Sequence, residues 1–183
     1  ARPDAALWAG AAVLLNHLVI TAATVTPRCQ WLGPNVVALP PAAVRRGEVA
    51  ITIDDGPDPE VTPRVLDLLD RAGVKATFFC IAEKVARHPL LARELVARGH
   101  DLQNHSSAHR HTFAFLGPSG YAAELSLAQQ TIEAVTGHRP RFFRAPAGVR
   151  NCFLDPVMRQ TGLTLVSGTR RGSDTRYALP RQV

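Results

Sequence analysis

Two adjacent carboxylates, Asp54 and Asp55, stand in "ITIDDGPDPE" between an apolar, β-rich run and a Gly-Pro break. Side chains alternate along an extended backbone, so neighbouring residues can meet different surroundings, one holding a cation while the other faces a water. A bound divalent ion would also offset the like-charge repulsion and keep both groups ionised. The same pair, followed by Gly56, Pro57 and Asp58, equally suits a turn that caps the next helix. On this stretch alone both readings stay open.

A second group lies in "QNHSSAHRHTF", where His105 and His109 are four residues apart and His111 follows. Two imidazoles at that spacing face one side of a helical turn and can chelate one metal. With seven histidines in 183 residues such a spacing also arises by chance, so its position in the chain carries the argument. One Asp and two His leave positions open for water or substrate. A third group, "FFRAPAG", offers Arg144 with a stiff, close turn at Pro146 and Gly148. Arg144 is either a purely structural ion-pair partner or the group that holds a neighbouring carboxylate beside a metal site.

These residues need elements that bring them together. "VAITI" (49–53), "KATFFCI" (75–81), "HDLQNH" (100–105), "RFFRA" (141–145) and "LTLVSG" (163–168) are strand-like. Between them, 62–73, 83–99 with a break at Pro89, 121–137 and 153–162 are helical, with Thr62 as N-cap of the first and Gly73 and Gly137 as stops. Strands alternating with helices predict βα units around a parallel sheet or barrel, in which ligands bind at the C-terminal strand ends. All three groups fall at such ends, so they can converge.

The composition fits one globular domain with an appendage: 46% of residues are hydrophobic and 20% charged. The net charge of +6 comes without basic runs or interleaved aromatics, which argues against a nucleic-acid partner. Cys29, Cys80 and Cys152 are widely spaced and form neither a CxxC pair nor a disulfide framework; Cys80 in "TFFCI" reads as a buried apolar residue. Residues 5–25 are uncharged and long enough to cross a bilayer, so 1–26 is expected to be a transmembrane segment, with a buried amphipathic helix as the alternative. Residues 27–47, rich in Pro and Gly, read as a linker or irregular lead-in to a domain from 48 to 183.

Taken together, "TIDDGPD" (52–58), "NHSSAH" (104–109) and "RFFRAPAG" (141–148) are similar, in this order, to the first three motifs of polysaccharide deacetylases, the NodB-homology domain of carbohydrate esterase family 4. The resemblance covers about residues 48–175. It implies an α/β fold, a distorted (β/α) barrel, and metal-assisted hydrolysis of N-acetyl groups from N-acetylglucosamine units of chitin, peptidoglycan or a related glycan. Carried over by motif position, Asp54 is the general base and Asp55, His105 and His109 hold a divalent ion, usually zinc. Arg144 corresponds to the arginine that orients the base, and the N–H of Ala147, after Pro146, to the oxyanion donor. With the apolar helix, this implies a protein of the cell membrane whose domain faces the cell wall or periplasm.

Two departures stand out. The fourth motif normally supplies a Trp and an Asp; "LVSGTRRGSDTR" has Gly168 at the expected Trp position and only Asp174 as a match for the acid. The fifth motif, a Leu-x-His whose histidine acts as general acid, has no counterpart, so the resemblance implies a C-terminally incomplete barrel. A noncatalytic, metal-containing glycan-binding module of the same fold is the alternative. A two-metal phosphoesterase is disfavoured because no second ligand cluster is visible.

Overall fold

The computed structural model describes residues 3–169. Asp174 therefore lies outside the described residues. Five strands, β1 (Thr52–Gly56), β2 (Thr77–Cys80), β3 (Asp101–Asn104), β4 (Phe142–Phe143) and β5 (Thr164–Leu165), form one sheet in chain order. Every neighbouring pair is parallel. A doubly wound sheet reverses strand order at a switch point, whereas sequential order is that of a (β/α) barrel. Curvature agrees. In a flat sheet β4 would lie about 14 Å from β1, more than an arginine can span, yet Arg144 directly after β4 bonds Thr52 and Asp54 of β1.

The helices are α1 (Pro3–Val25), α2 (Pro41–Arg45), α3 (Thr62–Arg71), α4 (Ala82–Arg87), α5 (Pro89–Ala97), α6 (Pro118–Thr136) and α7 (Leu154–Thr161). Pro89 divides α4 from α5 as expected, because proline lacks the N–H that a continuing helix needs and suits a first helical position. Gly137, with φ +70°, ends α6 in the left-handed conformation. The capping expectation for Thr62 is corrected. Asp58 does that work, accepting the N–H groups of Glu60 and Val61 at 2.9 Å each, while Thr62 Oγ1 turns back to accept the N–H of Asp58. Helix α6 also begins three residues earlier than the apolar period suggests, since Gly117-Pro118 supplies the start.

Strand alternation sorts the side chains. Ile53, Phe78, Cys80, Leu102, Phe143 and Leu165 face the helices and build two apolar clusters with Leu66, Leu95, Ile132, Tyr121, Leu154 and Met158. Cys80 is fully buried and its thiol pKa is pushed up by that burial, as fits an inert core residue. Thr52, Asp54, Phe79 and Arg144 take the opposite face, where they touch one another. Strand β1 begins later than expected and includes both aspartates. Asp54 pairs with Phe79 and Gly56 with Cys80, so Asp55 is left over as a bulge at φ +66°.

The residues between α1 and β1 are tied to the sheet. The Val36 N–H donates to Leu165 O at 2.9 Å and the Ser167 N–H to Val36 O at 2.8 Å, a parallel bridge on the outer edge of β5. Helix α1 differs. Its apolar side chains are exposed in consecutive runs, Val13 to Leu15 and Leu18 to Ile20, and therefore on every face rather than in one stripe.

Candidate metal and catalytic site

The bulge at Asp55 separates the two adjacent carboxylates. Asp54 remains in the ladder and points to the inner face, where its Oδ1 accepts a 2.6 Å hydrogen bond from Arg144 Nη1. Asp55, turned out by its left-handed backbone, places Oδ1 3.4 Å from His105 Nε2 and 3.3 Å from His109 Nε2. Aspartate is one of the few residues that adopts this conformation at modest cost. Lys84, in the first turn of α4, fixes the bulge by donating to the Asp55 carbonyl at 2.8 Å.

The histidines sit on a loop, which corrects the helical-turn expectation. Asn104 Oδ1 accepts the Ser106 N–H at 2.8 Å and Ser106 Oγ accepts the His109 N–H at 3.0 Å, so side chains close the loop where a helix would use carbonyls. Ser106 and His109 both have positive φ, 68° and 50°. Among the described residues, three of the four non-glycine residues with positive φ, Asp55, Ser106 and His109, thus carry or shape this one cluster, as is common where geometry is held for function.

His105 is buried and its Nδ1 lies 2.8 Å from the carbonyl of Arg144. Facing a carbonyl, Nδ1 must carry the proton, which leaves the Nε2 lone pair directed at Asp55. The ligand atoms of Asp55, His105 and His109 all lie within 4.8 Å of one another. Ligands about 2.0–2.1 Å from a tetrahedral ion stand about 3.3 Å apart, which matches the two Asp–His separations. Protonation states agree with a cation. Its position beside His105 holds the Asp55 carboxyl below its usual pKa, and burial, with His105 adding, pushes His109 below the usual imidazole value. The three residues fit a divalent ion with a fourth position open; His111 is not part of the group.

Arg144 connects the two halves. Its carbonyl orients His105, its guanidinium holds Asp54 and Thr52 Oγ1 (2.9 Å), and the same guanidinium lies 4.1 Å from the centre of the Phe79 ring. After it, Pro146 is buried and Ala147 is exposed at φ +52°, at the crest of a tight turn whose next two N–H groups donate back to Ala145 and Pro146.

Residues 42–166 match the family profile described as polysaccharide deacetylase, more than half of the chain. The chain belongs to the polysaccharide deacetylase family. It is 35% identical over 103 residues to a peptidoglycan-N-acetylglucosamine deacetylase of Bacillus cereus, covering 56% of this chain and 37% of that protein. It is 39% identical over 120 residues to a chitooligosaccharide deacetylase of Bradyrhizobium sp., covering 61% and 54%. Among solved structures, the family 4 carbohydrate esterase of Streptomyces lividans in complex with acetate superposes with a TM-score of 0.62 at 37% identity, covering 65% of this chain and 61% of that one. The chain thus spans less than two thirds of these relatives' lengths.

Within this polysaccharide deacetylase domain the structure brings Asp54, Asp55, His105, His109 and Arg144 to one strand-end site. Sequence reasoning missed four supporting residues: Thr52 and Phe79 beneath Arg144, Asn104 within the histidine loop, and Lys84 on the bulge. Strand parity could have found the first two, since Thr52 and Asp54 share a face. Nothing in the sequence marks Lys84, which reaches Asp55 across 29 positions.

Proposed function

We propose that this domain removes N-acetyl groups from glycans containing N-acetylglucosamine, with Asp55, His105 and His109 holding a divalent ion, zinc by the chemistry of the donor set. The carrying observation is that one residue, Arg144, braces both Asp54 and His105. When bound, such an ion lowers the pKa of a water and polarises a carbonyl.

The chain's own residues supply the rest. Asp54, held at 2.6 Å by Arg144 and half-buried, is positioned to take the proton of an attacking water as general base. Arg144 cannot itself accept that proton, so it orients the base and keeps it from turning toward the ion. The Ala147 turn offers a backbone N–H to the oxygen that becomes negative as the amide carbon turns tetrahedral. An N-acetylated glycan as substrate rests on the names of the relatives, which act on peptidoglycan or chitooligosaccharide.

The apolar helix Ala5–Val25 has 21 residues, enough to span a bilayer core of about 30 Å. Two of its polar side chains, His17 and Thr24, bond the carbonyls of Val13 and Ile20, as suits a helix in lipid. We assign it as a membrane span, with the domain at the cell membrane facing the wall or periplasm.

Acetate release from chitooligosaccharides by the zinc-loaded chain tests the reading. Activity that is lost in Asp54→Asn with zinc content unchanged supports it; zinc stoichiometry near zero, or release unaffected by Asp54→Asn, overturns it.

A further inference from the structure

The segment joining the apolar helix to the domain is held by bonds at several points, although its composition suggests a linker. The Thr24 carbonyl, still inside α1, accepts the backbone N–H of Arg150 at 3.3 Å. The Arg150 side chain is buried, forms no ion pair among the described residues, and donates to the carbonyls of Cys29 (2.6 Å) and Gly33 (3.3 Å). The Pro27 carbonyl accepts from Asn35 Nδ2 at 2.9 Å and from Ser167 Oγ at 2.8 Å. Pro27 also packs against Gly148, where a Cβ would come within 2.9 Å of it. Ala23 is buried. The helix end is thus fixed to the 146–150 turn itself, not to a remote part of the domain.

Of the two tryptophans of the chain, one lies in the first turn of the apolar stretch and one beyond its end. Trp8 lies near its start; Trp31, 79% exposed, stands in the turn that Arg150 clamps, and Arg28, three residues before it, is exposed and donates to the Thr169 carbonyl at 3.4 Å. An exposed Trp with a neighbouring cation just beyond an apolar span is the combination that settles at the headgroup level, where the ring is half-wet and the cation meets phosphates. From Arg150 to Arg144 is six residues, at most about 22 Å of extended chain, and the Arg144 carbonyl touches His105. With the turn at the interface, Arg150, bonded to carbonyls on either side of Trp31, lies near the headgroups, and the candidate site begins within those six residues of it.

We infer that α1 and the Pro27–Trp31 turn are a rigid mount that presses the candidate site to the bilayer surface, and that its substrate is an N-acetylated saccharide carried on a lipid of the same leaflet. The substrate half rests on the deacetylase reading; the mount does not. A flexible tether would let the domain search the wall, whereas a fixed site meets glycans held in the same plane at raised effective concentration.

Two measurements on the full chain in vesicles test this. In Trp8→Phe protein, Trp31 is the sole tryptophan, and lipids brominated near the glycerol backbone are expected to quench it; an unquenched Trp31 overturns the mount. Acetate release from a lipid-linked N-acetylglucosamine oligosaccharide is expected to exceed release from the same free oligosaccharide by at least about tenfold. Arg150→Ala, which frees the turn, is expected to lose that preference while still hydrolysing the free sugar. Equal rates on both substrates overturn the lipid-linked assignment. Release from neither overturns the deacetylase reading and the substrate with it, while Trp31 quenching still decides the mount.

Discussion

Arg144 and His105 are joined by a 2.8 Å contact between a backbone carbonyl and Nδ1, across 39 positions of sequence. That contact sets the imidazole tautomer and fixes the spacing between the ion site and the carboxylate that Arg144 holds with its other end. A motif residue thus acts twice, once through its main chain and once through its side chain.

Separation of the two carboxylates is the first consequence. Asp54→Asn keeps the hydrogen bond to Arg144 and the shape of the strand but removes the basic oxygen. Acetate release is expected to fall by about 10²–10⁴-fold with bound zinc unchanged, read by metal analysis beside the activity assay.

Loss of a proposed ligand should show the reverse order of effects. His105→Ala or Asp55→Asn is expected to weaken zinc binding by more than the roughly 10–100-fold typical of outer partners, measured by competition with a chromogenic chelator. If either variant binds zinc like the parent, the triad is not the ion site.

Arg144 tests orientation against charge. Lysine retains the positive charge but neither forks toward Thr52 and Asp54 nor stacks on Phe79. Arg144→Lys is expected to cost about 1–2 kcal/mol, lowering Tm by roughly 2–8 °C for a domain of this size, with activity reduced beyond what the stability change explains. Thermal unfolding and kcat measured on the same preparation separate the two.

Part of the acid sensitivity should originate away from the site, at His100. Its buried Nδ1 accepts the Ala76 N–H at 3.2 Å, which requires the neutral ring, and burial holds its pKa below the usual 6.5. The unfolded chain therefore binds the proton first. His100's contribution is fully present above pH 6.5 and is lost as pH falls below it. His100→Asn, whose Oδ1 can accept the same N–H without titrating, is expected to flatten the stability profile below pH 6.5, read by denaturant unfolding at a series of pH values.

Much of this protein was legible in its sequence. Alternating β-rich and helical runs determined the parallel α/β class, because each periodicity follows from local backbone geometry. The residues able to do chemistry were legible too, since "DDGPD", "NHSSAH" and "FRAPAG" concentrate ionisable groups at strand ends. Only the tertiary structure decided how those groups divide. The bulge that turns Asp55 away from Asp54 exists because β1 must pair with β2 on both sides of it, and the register of a neighbouring strand is not written in the residues themselves. His105 and His109 meet through a loop closed by Asn104 and Ser106 rather than through the helix their spacing suggests. The Pro- and Gly-rich stretch after α1 looks like a linker because it lacks periodicity. It is ordered by bonds to Arg150 and Ser167, more than a hundred positions away. Periodicity reports local order; order imposed by distant partners appears only once the chain has folded.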